Sequence, residues 1–264
     1  LKPGYNGMAM GYIGTGDRYG GMVNLNVKEG KWNFTGMYSY NQAINFTKGY
    51  TRRTQLDSLE DPSGYFNQDN NTRQKNMFNF GKVGLDYTIN NRNMITFSGM
   101  VVAGQFDTYD EQVYELLDSE KEKRIYGTRW NKQNAAFQNY NGQVLYKKTY
   151  PKAGKELNFD ANYNHTNSNN GYLFTTTGFL NPDTLTIPNT YQKNIGKSNA
   201  DQGIFQLDYV NPYSDTRKLE MGLRAFYKRS NSENNTSNAQ SNQDVYTRDS
   251  IMSNRYVIDD MINA

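Results

Sequence analysis

The chain has 264 residues, of which 36% are apolar, and a mean hydropathy of −0.91. Its 29 Lys plus Arg against 26 Asp plus Glu form no strongly basic field, so the composition argues against a nucleic-acid-binding protein. It has no Cys and a single His, which excludes disulfides, Cys-based metal sites and sites with two His ligands.

The composition also argues against disorder, because 22 Tyr and 13 Phe stand beside 36 Asn. Abundant aromatic residues together with abundant polar residues predict a structure with one face in contact with water. No run of 18 apolar residues occurs, so a membrane could be crossed only by strands.

Apolar and polar residues alternate with a period of two, which is the pattern of β-strands. It is clearest where Leu157, Phe159, Ala161 and Tyr163 alternate with polar residues. The strands predicted in chain order are 8–13, 19–28, 32–41, 83–89, 94–106, 136–150, 157–164, 205–209 and 219–228, with a tenth starting near Arg255.

The connections between these strands alternate in length. Turn-forming residues make short connections on one side at 29–30, 90–92, 151–155 and 212–218, whereas the first hairpin, at 14–18, is the one short connection on the other side. Long polar connections are predicted at 42–76, 107–133, 166–202 and 230–254, all on the other side. This organisation predicts an all-β fold: an antiparallel, up-and-down transmembrane β-barrel with long extracellular loops and short periplasmic turns, here about ten strands of a larger barrel. A soluble β-fold is the alternative.

On such strands one face meets lipid and the other meets water or a plug. Tyrosines near the strand ends fit the aromatic girdles of a barrel, although β-propensity alone explains each one equally well; they are Tyr38, Tyr40, Tyr87, Tyr163, Tyr209 and Tyr227. The residues predicted to face the lumen are Asn33, Asp86, Asn158, Asp160, Asn162, Glu220 and Arg224.

The predicted long loops carry aromatic and arginine side chains that are candidate ligand contacts, because exposed loops on a rigid scaffold often carry function. The candidates are Tyr50, Arg52, Arg53, Tyr65, Phe66, Tyr172, Phe174 and Tyr191. Residues 111–124 place Val113, Leu116 and Leu117 at helical spacing and predict a short helix. Acidic clusters at 57–61 and 107–111 are read as solvated loop charge rather than Ca²⁺ ligands, and His165 as an exposed residue where a strand leaves the membrane.

Several segments resemble one known family, the TonB-dependent receptor-like proteins of the Bacteroidetes outer-membrane β-barrel family. The segments are Leu1-Lys2-Pro3-Gly4-Tyr5-Asn6-Gly7, Gly14-Thr15-Gly16-Asp17-Arg18-Tyr19, Asn24-Leu25-Asn26, Gly30-Lys31-Trp32-Asn33-Phe34, Gly84-Leu85-Asp86-Tyr87 with Asn90-Asn91-Arg92-Asn93, and Gln206-Leu207-Asp208-Tyr209 with Pro212 and Leu219-Glu220-Met221-Gly222-Leu223-Arg224. The resemblance implies a barrel of roughly twenty-two strands filled by an N-terminal plug. Residues 1–4 would then be the exit from the plug, and residues 5–264 part of the barrel.

The resemblance implies a nutrient receptor and transporter of the bacterial outer membrane, acting on a siderophore, glycan, peptide or vitamin. Its partners would be outer-membrane lipid, its plug and remaining strands, TonB and a surface lipoprotein, with no cofactor. Two alternatives stay open: a structural or assembly component of an envelope complex, and a soluble extracellular β-rich binding module. An enzyme is not expected, because only His165 is present as a histidine base.

Overall fold

The chain folds into ten β-strands in a computed structural model that describes residues 3–181, 185–214, 216–240 and 245–263. The strands are β1 (Gly4–Gly14), β2 (Arg18–Glu29), β3 (Trp32–Leu56), β4 (Pro62–Asn90), β5 (Asn93–Asp118), β6 (Lys123–Thr149), β7 (Glu156–Leu180), β8 (Leu185–Ser214), β9 (Arg217–Gln240) and β10 (Thr247–Asn263). Residues 1–2 of the predicted plug exit and Ala264 lie outside the described residues.

Every strand pairs antiparallel with the next strand along the chain, and the spatial order is β1 to β10 without a crossover. The predicted all-β, up-and-down antiparallel fold is therefore confirmed. In the described residues the sheet is open, with β1 and β10 at its two edges. No helix in the described ranges is long and apolar enough to span a membrane.

The predicted long loops are wrong as loops, because most of their residues extend the strands. Strands β3 to β9 are 24 to 30 residues long. The β3–β4 ladder, for example, continues from Trp32 opposite Tyr87 up to Leu56 opposite Pro62. The alternating pattern fades beyond the first ten or so residues of β3, yet backbone pairing with the neighbouring strands continues where both faces carry polar side chains.

The predicted helix over residues 111–124 is also wrong. Val113, Leu116 and Leu117 all lie in β5, where Val113 opposes Asp69, Leu116 opposes Phe66 and Leu117 opposes Tyr65. The helical spacing of three apolar residues was overridden by the ladders that β5 forms with β4 and β6 along its whole length.

The sheet has two chemically different faces. We call one the band face, because large apolar and aromatic residues form a band across it, and the other the polar face. One register row of the band face runs through all the strands from β3 to β9 and consists of Phe34, Leu85, Phe97, Val144, Ala161, Phe205 and Ala225. The adjacent row of the polar face consists of Asn33, Asp86, Thr96, Leu145, Asp160, Gln206 and Arg224.

The apolar band is short compared with the strands. It covers residues 32–40 of β3, 95–103 of β5 and 219–227 of β9 at alternate positions, which matches the 9 to 11 residues that a tilted strand needs to cross a bilayer. Beyond it, away from the short turns, the strands continue as tall polar hairpins. We call this part the hairpin end and the opposite part the short-turn end.

Exposure on this sheet is the reverse of that in a water-soluble protein. Side chains in the middle of the band are exposed, with 54% for Val83 and Phe205 and 68% for Leu223. The only buried apolar residues among those described are Ile44 and Ala239. A contiguous exposed apolar surface of this kind fits a lipid solvent rather than water.

The short turns are staggered in the way that a barrel requires. The register row that contains Trp32, the first residue of β3, also contains Ile95, Phe159 and Leu223. β5 begins at Asn93, two residues before this row; β7 begins at Glu156, three residues before it; and β9 begins at Arg217, six residues before it. The first residues of successive strands therefore shift steadily relative to the register rows. This shift is the shear that accompanies strand tilt in a barrel.

Candidate functional site: the polar face and the hairpin end

All seven residues predicted to face the lumen lie on the polar face, and four of them, Asn33, Asp86, Asp160 and Arg224, share one register row. Whether this face lines a lumen stays a prediction. Several members bind polar neighbours across the strands. Asn33 Nδ2 donates to Asp86 Oδ2 at 3.1 Å, and Thr96 Oγ1 donates to Asp86 Oδ1 at 2.7 Å.

Farther along the same face, Gln143 Nε2 donates to both oxygens of Asp160 at 3.1 Å, and Asn141 Nδ2 donates to Asn162 Oδ1 at 3.1 Å. Asn158 donates to Glu156 at 3.1 Å, whereas Glu220 is exposed and pairs with Lys218 at 2.7 Å. The polar face is therefore stabilised by hydrogen bonds between neighbouring strands that do not require any partner from outside the sheet.

The eight candidate ligand contacts lie in strands β3, β4, β7 and β8, not in loops. They also divide between the two faces, so they do not form one site. Register places Tyr50, Arg52, Tyr65 and Tyr191 on the side of the band face, and Arg53, Phe66, Tyr172 and Phe174 on the polar face.

The members of β3 and β4 form contacts mainly with one another. The Arg53 guanidinium lies 5.2 Å from the centre of the Phe66 ring, and Arg52 lies 5.6 Å from that of Tyr50. Arg52 also binds Asp69 at 2.6 Å and the carbonyl of Gln68 at 2.8 Å. Because the Arg52 guanidinium already has a carboxylate and a carbonyl as partners, it has less capacity for a ligand.

The members of β7 and β8 border a cavity at the hairpin end. The rings of Tyr172 and Phe174 are parallel, with centroids 6.1 Å apart, and Gln133 Nε2 donates to Tyr172 OH at 3.1 Å. Phe174 and Tyr191 both line a cavity of about 610 Å³, and so does Arg129 of β6. Arg129 was missed in the sequence, because only the β6–β7 register brings it beside Phe174.

The polar face at the hairpin end is rich in shielded polar groups. Asp110 is buried and accepts hydrogen bonds from Thr72 Oγ1 at 2.6 Å and Gln112 Nε2 at 2.7 Å. Among the described residues, four buried polar atoms on this face have no hydrogen-bond partner; they are Asn76 Oδ1, Thr108 Oγ1, Arg129 Nε and Asn131 Oδ1. Buried groups without a partner are uncommon, so this face has unused capacity for hydrogen bonds.

The two turns at the tips of the β3–β4 and β5–β6 hairpins have the same pattern of hydrogen bonds between an Asp side chain and the backbone. Asp57 Oδ1 accepts hydrogen bonds from the backbone N–H groups of Leu59 and Asp61, at 2.8 and 3.0 Å. Asp118 Oδ1 accepts them from Glu120 and Glu122, at 3.0 and 2.9 Å. The acidic residues 57–61 thus build a turn, and among the described residues no group of three His, Cys, Asp or Glu could hold a metal ion.

Two carboxyl groups near these tips have shifted pKa values. Hydrogen bonds from Asn67, at 2.9 Å, and from Lys123 hold the pKa of Glu115 below its usual value. Backbone hydrogen bonding from Glu122, together with Arg124, lowers the pKa of Asp118. Both shifts favour the charged forms and stabilise the tip of the β5–β6 hairpin at neutral pH.

His165 lies within β7 on the band face, one alternate position beyond Tyr163 at the edge of the band. Its Nδ1 atom is 2.7 Å from Asp201 Oδ1, and Tyr163 OH donates to the same oxygen at 2.6 Å. The Tyr140 ring stacks on His165 with centroids 6.4 Å apart. The prediction of an exposed His where the strand leaves the membrane is therefore corrected to a half-buried residue in a cross-strand cluster.

The six girdle tyrosines all lie on the band face near the ends of the band, as predicted. At the short-turn end the Tyr87 ring is 4.2 Å from that of Trp32, and Lys155 lies 5.7 Å from the centre of the Tyr209 ring. At the other boundary, Tyr38 OH donates to Asn79 at 2.8 Å. The hydroxyls of Tyr38, Tyr40 and Tyr163 each donate to a polar side chain, and a ring with an apolar body and a polar tip suits a membrane interface.

Residues 148–264 match the model of a family described as "Outer membrane protein beta-barrel family". The match covers the β6–β7 turn and strands β7 to β10. Together with the exposed apolar band and the up-and-down topology, it assigns the sheet to a bacterial outer-membrane β-barrel surrounded by lipid.

Among solved structures, the chain is similar to a BenF-like porin from Pseudomonas fluorescens Pf-5 over 98% of its own length and 96% of that chain. The sequence identity is 6% and the TM-score 0.13, a likeness too low to inform the fold. A comparison with curated proteins found no match.

Proposed function

We propose that this outer-membrane β-barrel protein of the bacterial envelope is a receptor and transporter that takes up a nutrient in a TonB-dependent manner. The nutrient classes are siderophores, glycans, peptides and vitamins. The barrel would bind the nutrient at its hairpin end and admit it past a plug, without catalysis. Its partners would be the plug, the remaining barrel strands, TonB and a surface lipoprotein.

The observation that supports a receptor is the height and chemistry of the hairpins beyond the band. A barrel that served only to span the membrane would need strands of 9 to 11 residues. Here β3 to β9 extend far past the apolar band. Their polar face carries aromatic rings, a ligand-sized cavity and buried polar atoms without partners. A tall, rigid surface with polar atoms that lack hydrogen-bond partners is suited to recognising a solute outside the cell.

The alternative is a structural or assembly component of an outer-membrane complex. Hydrogen bonds within the polar face, such as that from Asn33 to Asp86, favour this structural role, because they satisfy the polar side chains without a substrate. The two functions differ in what cells lose when the protein is removed.

The test compares a deletion strain with the wild type and with a strain carrying the full-length gene on a plasmid. Uptake of one labelled representative of each nutrient class is measured, with and without depletion of TonB. The proposal expects the deletion to lower uptake of at least one class, and TonB depletion to lower it equally. Unchanged uptake of all classes, together with increased sensitivity to detergents, would overturn the proposal in favour of the structural component.

A further inference from the structure

A cavity of about 610 Å³ opens at the hairpin end between β6, β7, β8, β9 and the start of β10. Its wall includes Arg129, Phe174, Thr176, Tyr191, Gln192 and Asn238. The volume is within the range of small-molecule sites in proteins, roughly 300 to 1,000 Å³. Most of the lining positions belong to the polar face, so the cavity is part of the surface that carries the unpartnered polar atoms.

Arg129 is the one charged side chain among the described residues of this wall. Its guanidinium lies over the Phe174 ring, with Cζ 4.4 Å from the ring centre. Its Nε atom is buried and has no hydrogen-bond partner in the part of the chain that the structure describes. The side chain forms no ion pair with any of the described residues. A buried guanidinium edge without an acceptor is costly, so a bound acceptor would stabilise it.

The carboxylate of Asp110 does not fill this role. Asp110 lies on the polar face of β5, opposite Asn131, the polar-face neighbour of Arg129 along β6. Its two oxygens accept from Thr72 and Gln112. Arg129 itself faces Gln112 on one side and Thr176 on the other, both neutral. Among the described residues, the wall therefore contains no acidic side chain that could pair with this charge.

The remaining wall is held in place by its own contacts. Gln192 Nε2 donates to Asn238 Oδ1 at 3.2 Å, and Asn238 Nδ2 donates to Asp249 Oδ2 at 3.0 Å. The side-chain amides of Gln192 and Asn238 are therefore already hydrogen-bonded, and they define the shape of the cavity. Recognition of a ligand therefore depends chiefly on the guanidinium and the aromatic surface beside it.

We infer that this cavity binds a small molecule with a carboxylate or phosphate group, which the Arg129 guanidinium holds, while the rest of the molecule lies against the Phe174 ring. A planar guanidinium fixed on an aromatic ring presents parallel N–H donors to two oxygens of one anion. The inference names a ligand class for the receptor and so rests on the proposed function.

The test uses the purified full-length protein in detergent at low ionic strength. Binding of sodium succinate and of inorganic phosphate is measured by isothermal titration calorimetry on the wild type, Arg129→Gln, Arg129→Lys and Lys132→Gln. Lys132 is the matched control, because it is on the same strand but on the other face, with its Nζ atom 5.9 Å from the Tyr109 ring centre. Folding of each variant is checked by resistance to trypsin.

We expect at least one of the two anions to bind the wild type and Lys132→Gln alike. Arg129→Gln should weaken that binding at least tenfold, and Arg129→Lys should weaken it as well, because an ammonium cannot form the bidentate contact. Succinate alone as the bound probe identifies a carboxylate ligand, and phosphate alone a phosphorylated one. If neither anion binds, or if folded Arg129→Gln binds as tightly as the wild type, the inference is overturned. Anion binding in a protein whose deletion leaves uptake unchanged would instead refute only the transport role.

Discussion

Val144 and Leu145 are neighbours in β6 but lie on opposite faces of the sheet. Val144 is on the band face, opposite Phe97 and Ala161, and Leu145 is on the polar face, opposite Thr96 and Asp160. They are two apolar residues of similar size at the same height in the middle of the band. Comparing the same substitution at these two positions therefore separates the effect of the surrounding lipid from the effect of depth along the strand.

We predict that Val144→Arg destabilises the barrel by about 2 to 4 kcal/mol, the cost of a cation on the lipid face near the bilayer midplane. Leu145→Arg should have an effect below about 1 kcal/mol, because the new guanidinium faces Asp160 on the polar face. The measurement is urea unfolding of the full-length protein in lipid vesicles. Equal destabilisation by the two variants would contradict the assignment of the band face to lipid.

The sequence predicted the part of the fold where the two faces differ. In β3 the alternation of Trp32, Phe34 and Tyr38 with polar residues is imposed by lipid on one face, so the strand and its facing could be read directly. At the hairpin end both faces meet polar surroundings, and a stretch such as 67–76 carries no alternation, although it pairs continuously with β3 and β5. Strand length was underestimated for this reason.

The candidate site was predicted only in part for a different physical reason. Which side chains meet depends on register between strands that are far apart in sequence. Phe174 was identified from its type and location, but its partner Arg129 is 45 residues earlier and becomes its neighbour only through the β6–β7 ladder. No local pattern around Arg129 distinguishes it from Lys132, which is on the other face.

The tips of two hairpins hold non-glycine residues in the left-handed region, with φ of 67° at Glu60 and 64° at Lys121. This conformation costs an ordinary residue roughly 1 to 2 kcal/mol, and glycine avoids most of that cost. We predict that Glu60→Gly stabilises its hairpin tip by about 0.5 to 1 kcal/mol, after the greater unfolded-state entropy of glycine is subtracted. Lys121→Gly should gain less, because it also removes the contact of Lys121 Nζ with the Tyr65 ring, 5.4 Å from the ring centre.

The measurement for the tips is native-state hydrogen exchange of the backbone amides in residues 54–64 and 115–125. Leu59→Gly is the matched control, because Leu59 lies in the same turn and has no left-handed φ. It should leave the tip less stable. Faster exchange in Glu60→Gly than in the wild type would contradict the prediction.

The lowered pKa of Glu115 predicts a pH dependence of the β5–β6 hairpin tip. Because the folded state holds this pKa below the unfolded value, its contribution is fully present above the unfolded pKa, near the ordinary value for Glu of about 4.3. It is lost as the pH falls through the lower, folded value. Asp118 acts in the same direction.

We therefore expect protection of the amides in residues 113–126 to decrease as the pH falls below about 4.3, after correction for the intrinsic exchange rate. Glu115→Gln should remove part of this dependence and should also lower protection at pH 7, because Lys123 loses its partner at 3.1 Å. Glu111→Gln, a change of another carboxylate in β5, is the control. An unchanged pH profile in Glu115→Gln would show that this carboxylate does not stabilise the tip.

The cluster around Asp201 predicts an energetic coupling at the edge of the apolar band. Tyr163 OH and His165 Nδ1 both contact the same oxygen, Asp201 Oδ1. Since Tyr163 donates to an ionised acceptor in a partly exposed setting, a double-mutant cycle of Tyr163→Phe and Asp201→Ala should give a coupling free energy of about 1 kcal/mol. Tyr38→Phe with Asp201→Ala is the matched cycle, because Tyr38 OH donates to Asn79 instead, and it should give a coupling near zero. Both cycles are measured by unfolding in lipid vesicles. If the Tyr163 cycle also gives zero, the hydroxyl is satisfied by water or lipid headgroups, and this edge of the band is held by its rings alone.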